Sequence, residues 1–170
     1  MFGHCVHLER SEVEALAASG SVAAFCPTSN LFLGSGLFDM KRLHDHGVRV
    51  SLATDVGGGT SYSMLQTANE AYKVLQMGGQ SWPALQAFYQ MTLGNARALG
   101  LEDRIGAIRE GFEADIIVVD SRATPAMAHR MESVEGDIAE ELFVLMMMGD
   151  DRAISETYVA GWPVKSTLAR

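Results

Sequence analysis

The sequence of 170 residues lacks any excess of basic side chains. Its 13 lysines and arginines are outnumbered by 21 acidic residues, which gives a net charge of −8. Proteins that bind polyanions carry a basic surface, so this composition argues against a nucleic acid partner. Most of the acidic excess lies after residue 100, and we therefore expect an organisational boundary near that position.

Long hydrophobic runs are also missing. The longest unbroken apolar run, Leu142–Met148, is far too short to span a bilayer, and the N-terminus does not resemble a signal peptide. The two cysteines, Cys5 and Cys26, lie within apolar stretches, as is typical of reduced, buried thiols in cytosolic proteins. We expect a cytoplasmic protein without a membrane partner. The hydrophobic fraction of 48% is sufficient for a sizeable core.

The first hundred residues alternate between short apolar strands and amphipathic helices. The predicted strands are 1–5, 22–26 and 48–54, and the predicted helices cover 11–19, 37–46, 61–77 and a segment that begins at 81–83. In the third strand, Val50 and Leu52 and the alternate residues Ser51 and Ala53 are all small or apolar, which is typical of a strand in a parallel sheet covered on both faces. The pattern predicts an α/β fold. Three strands cannot close a (β/α)8 barrel, so such a barrel would be present only in its last part.

The pattern changes after residue 100. We expect a strand, a turn at 110–111 and a second strand within 105–120, an irregular segment at 122–137, a helix at 138–148 and a hairpin within 154–166. Gly161 is the predicted turn residue of that hairpin. The sequence therefore predicts two segments, 1–100 and 101–170.

Polar side chains follow all three predicted strands of the first segment. His4 ends the first strand, Ser29 and Asn30 follow the second, and Asp55 ends the third, directly before the glycines at 57–59. Ligands of parallel α/β sheets bind beyond the carboxyl ends of the strands. We therefore expect these side chains to line one site, where histidine and aspartate could bind a metal or a water molecule.

Each of these residues also has a purely structural interpretation. Asp55 could cap the helix that follows it, His4 could be a structural histidine, and Ser29 and Asn30 could belong to an ordinary turn. The other histidines in polar helix or loop surroundings are expected to be solvated; they are His44, His46 and His129.

The segments that carry these residues resemble the amidohydrolase superfamily, which includes deaminases of purines, pyrimidines and triazines. The resemblance rests on GHCVHL, CPTSNLFLGSG and SLATDVGGGTSYSML, in that order and spacing. Residues 91–120 are similar to the superfamily's tail segment, in which the chain leaves the barrel. The resemblance implies that residues 1–100 form strands six to eight of a distorted (β/α)8 barrel and that 101–170 form part of a small β-sandwich.

The resemblance also implies roles for individual residues. Asp55 matches the aspartate that binds the zinc ion and takes a proton from its water. His4 matches the histidine that hydrogen-bonds the attacking hydroxide or the substrate without being a permanent zinc ligand. Ser29 and Asn30 would then contact the substrate, a small purine or related heterocycle that loses an amino group by hydrolysis.

One departure from the superfamily limits these expectations. Its first barrel strand carries a His-x-His metal pair and its fifth a His-x-x-Glu motif, and none of the strands predicted here carries either. A catalytic zinc ion usually has three protein ligands. We therefore expect a C-terminal portion of such an enzyme that binds zinc weakly and is inactive by itself. Its exposed barrel edge predicts a homo-oligomer.

Two alternatives remain open. The chain could belong to an aminohydrolase of the same superfamily with a cytosine, triazine or adenosyl substrate, or it could be a folded module without catalytic function.

Overall fold

The structure is a computed structural model that describes residues 1–165, so residues 166–170 of the predicted second segment lie outside it. The α-helices are α1 (Arg10–Ala18), α2 (Pro27–Leu33), α3 (Met40–Asp45), α4 (Met64–Met77), α5 (Ala84–Tyr89), α6 (Asn95–Leu99), α7 (Pro125–Glu132) and α8 (Ile138–Met148). The strands are β1 (Phe2–Gly3), β2 (Val22–Phe25), β3 (Arg49–Leu52), β4 (Ile116–Val119), β5 (Ile154–Val159) and β6 (Trp162–Pro163). A π-helix (Gln90–Gly94) joins α5 to α6, and a 3-10 turn (Asp151–Ala153) precedes β5.

The first sheet is parallel, with the order β1-β2-β3, which confirms the predicted strand–helix alternation. Ala23 and Ala24 of the central strand align with Phe2 and Gly3 on one side. Every residue of β2 is buried, and three of the four residues of β3, the strand predicted to be covered on both faces, are buried as well. The edge strand β1 differs, because both of its residues are exposed.

Apolar side chains from the sheet and from five helices, α1, α3, α4, α5 and α8, form the main core. Phe25 of β2 stacks on Phe38 with ring centroids 4.4 Å apart. The buried face of α4 includes Ala68, Ala71 and Leu75, and a face of this width is typical of a helix packed on a sheet. The core orients the three strands so that their carboxyl ends lie at one edge of the sheet.

Three helix boundaries differ from the sequence prediction. Helix α1 begins at Arg10, one residue before the predicted start, because Glu9 and Glu12 form a capping box there. Helix α3 is shorter than the predicted 37–46. Helix α4 begins at Met64, because the Ser63 side chain accepts a hydrogen bond from the Gln66 amide.

The second segment contains an antiparallel sheet with the order β4-β5-β6, and Gly161 lies in the turn of the β5–β6 hairpin as predicted. Two predictions for this segment are wrong. Residues 105–109 do not form a strand, and 122–137 is not irregular, because Thr124 caps helix α7 within it. Helix α8 packs against α4 and α5 and thereby joins this segment to the first.

Within residues 1–165, the helices are all too short or too polar to cross a membrane.

Candidate active site

Three potential ligand side chains meet at the carboxyl ends of the parallel strands. His4 follows β1, Cys26 follows β2 and Asp55 lies three residues after β3. One ligand atom from each lies within 4.8 Å of the other two. The predicted convergence of His4 and Asp55 is therefore present in the structure. Cys26 was not expected in this group, although its place directly after β2 was the signal that could have identified it.

The orientation of the His4 ring is set by Asn30. The Nδ1 atom of His4 lies 2.8 Å from the Oδ1 atom of Asn30, which is almost fully buried on α2. An amide oxygen only accepts hydrogen bonds, so His4 Nδ1 carries the proton and donates it. In the neutral ring the Nε2 atom then has a free lone pair.

The free nitrogen of His4 is directed towards Asp55. Its Nε2 atom lies 3.7 Å from Oδ2 of Asp55, a distance too long for a direct hydrogen bond. The two side chains are 43% and 39% exposed, so a ligand can reach both. When the ring carries no proton on Nε2, the histidine and an ionised Asp55 present two acceptors to each other. A proton, a water molecule or a cation between them would remove their repulsion.

The loop after Asp55 brings glycines against the carboxylate. The Gly58 amide donates to the Asp55 carbonyl at 3.1 Å and closes a tight turn. A Cβ atom on Gly58 would lie 2.8 Å from Ser29 Oγ and 3.2 Å from Asp55 Oδ2. On Gly59 it would lie 1.9 Å from the Thr54 carbonyl oxygen. These glycines therefore permit close packing of the loop on α2.

Unusual backbone conformations are concentrated at this edge of the sheet. His4, Cys5 and Asp55 have φ angles of 68°, 54° and 49°, in the left-handed region that non-glycine residues rarely adopt. In the described part of the chain, Ala160 is the one further non-glycine residue with a positive φ. Strain of this kind persists where the surrounding structure enforces it, and it is often found at functional sites.

Ser29 and Asn30 lie on the first turns of α2, because Pro27 begins a helix directly after β2. Both are buried, and neither Ser29 Oγ nor Asn30 Nδ2 has a hydrogen-bond partner among the described residues. Asn30 contacts His4, and Ser29 lies beneath Gly58. Their role as substrate contacts stays a prediction.

Cys26 differs chemically from the other two members of the group. Burial is the main cause that raises the pKa of its thiol, and the negative charge of Asp55 raises it further. Its Sγ atom donates a hydrogen bond to the Ala24 carbonyl at 3.4 Å. The thiol therefore stays protonated near neutral pH, and a metal ligand must be a thiolate. The nitrogen of His4 and the carboxylate of Asp55 are the stronger donors.

These donors fit one part of a zinc site. Zinc prefers imidazole nitrogen, thiolate and carboxylate ligands, and catalytic sites usually hold it with three protein side chains. In the part of the chain that the structure describes, no other group of three histidine, cysteine or acidic residues is close enough to hold a metal ion. The residues present suit zinc but do not complete its ligand set.

The spacings His-x-His and His-x-x-Glu do occur in the sequence, but on helices. His44 and His46 lie at the end of α3, where His46 Nδ1 bonds the Arg42 carbonyl. His129 on α7 lies 3.5 Å from Glu132 of the same helix. All three histidines are exposed, as predicted, and none belongs to the group at the strand ends.

The sequence matches the amidohydrolase family over residues 1–164, and the chain belongs to that family. Its parallel strand–helix units agree with the α/β fold of that family.

The relatives within this family have names that are narrower than the family's own description. The chain is 50% identical over 161 residues to guanine deaminase of Escherichia coli (strain K12), and the match covers 95% of this chain and 36% of that protein. It is 34% identical over 169 residues to guanine deaminase of Mus musculus, with 95% and 37% covered. The chain thus spans less than two fifths of the length of these relatives.

Solved structures give the same result. The structure of E. coli guanine deaminase matches with a TM-score of 0.93 at 50% identity, over 96% of this chain and 38% of that one. Guanine deaminase from Bradyrhizobium japonicum matches with a TM-score of 0.85 at 34% identity, over 95% and 41%.

Proposed function

We propose that the chain is the C-terminal portion of a zinc-dependent guanine deaminase, which converts guanine and water to xanthine and ammonia in purine catabolism. The approach of His4 Nε2 to within 3.7 Å of Asp55 Oδ2 carries this proposal. The similarity to guanine deaminases across 95% of the chain supports the choice of substrate.

Asp55 and His4 have different roles in the proposed reaction. Asp55 would be a zinc ligand and would accept a proton at its carboxylate from the attacking water. His4, with Nδ1 held by Asn30, would use Nε2 to hydrogen-bond that water or the substrate. When bound, zinc lowers the pKa of a coordinated water from about 15.7 towards about 7, which supplies a nucleophile at neutral pH.

The atoms of the reaction balance without a further reactant. The water oxygen forms a bond to the carbon that bears the amino group, and the C–N bond then breaks. One proton of the water passes by way of Asp55 to the amino nitrogen, and the other ends on a ring nitrogen of xanthine. The amino nitrogen leaves as ammonia after it gains a proton, and Asp55 would return to it the proton that it accepted. Guanine carries this amino group on a ring carbon between two nitrogens, which makes the carbon electrophilic.

By itself the chain is expected to be inactive. Asp55 is the one zinc ligand proposed among the described residues, whereas catalytic zinc usually has three protein ligands. The remaining ligands would come from the part of the relatives' length that this chain does not span. A cytoplasmic location and self-association through the exposed strand β1 also stay predictions, the latter testable by analytical ultracentrifugation.

Two measurements test the proposed function. The isolated chain, supplied with Zn²⁺ and guanine, should form no xanthine, and efficient turnover would contradict the incomplete site. The longer protein that this proposal implies should deaminate guanine and lose that activity on the substitution Asp55→Asn. An unchanged rate in that variant would remove Asp55 from the reaction.

A related aminohydrolase is the second candidate. The chain is 40% identical over 124 residues to 5-methylthioadenosine/S-adenosylhomocysteine deaminase of Moorella thermoacetica, a match that covers 70% of this chain. A panel of guanine, cytosine, S-adenosylhomocysteine and triazines would separate these activities in the longer protein. No turnover of any of them would favour the non-catalytic module.

A further inference from the structure

The outer edge of β3 is covered by one side-chain amide. The Leu52 backbone amide donates to Asn95 Oδ1 at 2.9 Å, and Asn95 Nδ2 donates to the Leu52 carbonyl at 2.9 Å. A neighbouring strand would satisfy the same two backbone groups in a regular ladder. Asn95 therefore replaces a strand partner at the last residue of β3.

A second amide completes this contact. Gln90 Nε2 donates to the Val50 carbonyl at 3.0 Å and to Asn95 Oδ1 at 3.1 Å. Residues 50 and 52 direct their backbone groups to the same side of the strand, because the strand repeats every two residues. The two side-chain amides thus bind the outward-facing backbone groups of Val50 and Leu52, and they are hydrogen-bonded to each other.

The π-helix explains how both amides reach the strand. The backbone amide of Asn95 donates to the backbone carbonyl of Gln90, a hydrogen bond between residues five apart that is typical of a π turn. In an α-helix with 3.6 residues per turn, side chains five apart point in different directions. Gly94 adds the necessary space, since a Cβ atom there would lie 3.1 Å from Gln90 Nε2. Rare π turns frequently occur at functional sites.

The contact lies three residues before Asp55. On the opposite side of the strand, the Ala53 amide donates to the Phe25 carbonyl at 2.9 Å. The chain is therefore held from both sides immediately before it enters the strained turn, in which Asp55 has a φ of 49°. Loss of either support would give Asp55 freedom to leave this conformation.

We propose that Asn95, oriented by Gln90, is a positioning residue that sets the direction of the Asp55 carboxylate. This inference rests on the proposed role of Asp55 in metal binding and adds a residue to that site. Asn95 touches neither His4 nor Asp55 through any contact that the structure shows, so its effect passes through the backbone of β3.

Nuclear magnetic resonance on the whole chain tests the proposal. In Asn95→Ala, hydrogen exchange at the Leu52 amide should accelerate by about tenfold or more as the bond is lost, and the Asp55 and Gly58 amide signals should shift. Asn69→Ala is the matched control, because it also removes an amide-to-backbone bond, from Asn69 Nδ2 to the Met147 carbonyl, away from β3.

Further variants test the same contact in case Asn95→Ala does not fold. Gly94→Ala removes no polar group but displaces Gln90, and it should shift the same Asp55 and Gly58 signals. Gln90→Ala should do so as well, whereas Gln86→Ala, on the exposed side of α5, should not. Unchanged Asp55 and Gly58 signals in these variants, or equal shifts in Asn69→Ala, would overturn the proposal.

A Zn²⁺ titration separates this inference from the proposed function. In the wild-type chain, Zn²⁺ should perturb the His4 and Asp55 signals, and in Asn95→Ala the same perturbation should require at least several times more metal. If saturating Zn²⁺ perturbs neither residue in the wild type, the weak zinc binding expected of this chain and the proposed role of Asp55 as a zinc ligand are contradicted. The exchange and shift measurements still decide whether Asn95 positions Asp55.

Discussion

His4 and Asp55 approach each other from separate strands, with Nε2 of the histidine 3.7 Å from Oδ2 of the aspartate. Asn30 holds the opposite nitrogen of the ring, so Nε2 faces the carboxylate without a hydrogen of its own in the neutral form. The lone pair of Nε2 and the carboxylate oxygen repel each other, and a positively polarised group between the two atoms would remove this repulsion. The pair is therefore suited to hold a metal ion or to pass a proton.

Replacement of Asp55 by asparagine tests the carboxylate with little change in volume. In the longer protein we expect kcat to fall by about 10²- to 10⁴-fold, the range typical of a lost general base, with further loss if zinc binding also fails. Steady-state kinetics and the zinc content of the purified variant measure the two effects. Asp45→Asn, at the exposed end of α3, should leave both unchanged.

Asn30 is expected to control the tautomer of His4. The variant Asn30→Ala removes the acceptor for His4 Nδ1, so the ring should populate both tautomers and rotate more freely. Nitrogen chemical shifts of the His4 ring should report the mixture. The free energy of unfolding should fall by about 1–3 kcal/mol, since a buried polar contact is lost.

Asn69→Ala provides a comparison for Asn30→Ala, because it breaks a partly buried contact to the Met147 carbonyl without touching His4. It should lower stability but leave the His4 ring nitrogens unchanged. Identical His4 spectra in the wild type and in Asn30→Ala would contradict the role of Asn30.

The sequence was sufficient to predict that His4 and Asp55 meet at the strand ends, but not that Cys26 joins them. Apolar strands separated by glycine-terminated helices define a parallel sheet, and strand ends in such a sheet share one edge. His4 and Asp55 could be located in this way without any knowledge of side-chain contacts. The hydrogen bond between His4 and Asn30 could not be predicted, since it depends on α2 beginning at Pro27 instead of a turn.

The errors in the second segment have a physical cause as well. The residues of α7 include several polar side chains, and the helix is stabilised by two buried methionines, Met127 and Met131, four residues apart on one face. The support of β3 by Asn95 was also beyond sequence reasoning. A π turn changes the helical period locally, and no periodic pattern identifies it in advance.

Gly58 is expected to be indispensable for the loop that carries Asp55. In Gly58→Ala the new Cβ atom would lie 2.8 Å from Ser29 Oγ and 3.2 Å from Asp55 Oδ2, so one of these groups must move. We expect a loss of about 1–3 kcal/mol in the free energy of unfolding, as is typical of overpacking. Thermal or denaturant unfolding measures the loss.

A double-mutant cycle identifies the partner in this clash. Ser29→Ala removes the hydroxyl nearest to the new methyl group, so Gly58→Ala should be less damaging in the Ser29→Ala background. Gly3→Ala is the control, because a Cβ atom on Gly3 would meet nothing within 4 Å. Additive effects of the two substitutions would contradict direct contact between Gly58 and Ser29.

Cys26 should make the free energy of unfolding decrease as the pH rises through the alkaline range. Burial raises the thiol pKa in the folded state above its ordinary value of 9.0, so the folded chain retains a proton that the unfolded chain releases. Its contribution to stability is complete below the unfolded pKa and is lost as the pH rises towards the folded pKa. Denaturant unfolding between about pH 8 and pH 10 should therefore show declining stability.

The variant Cys26→Ala separates this effect from the alkaline titration of other groups. Burial also raises the pKa of the Cys5 thiol, so the comparison is best made in a Cys5→Ser background. There, Cys26→Ala should flatten the decline in stability above pH 9. Asp55→Asn should reduce the decline only partly, because burial contributes more than the charge of Asp55 to the raised pKa of Cys26. An equally steep decline after removal of Cys26 would show that its thiol titrates alike in the folded and unfolded chain.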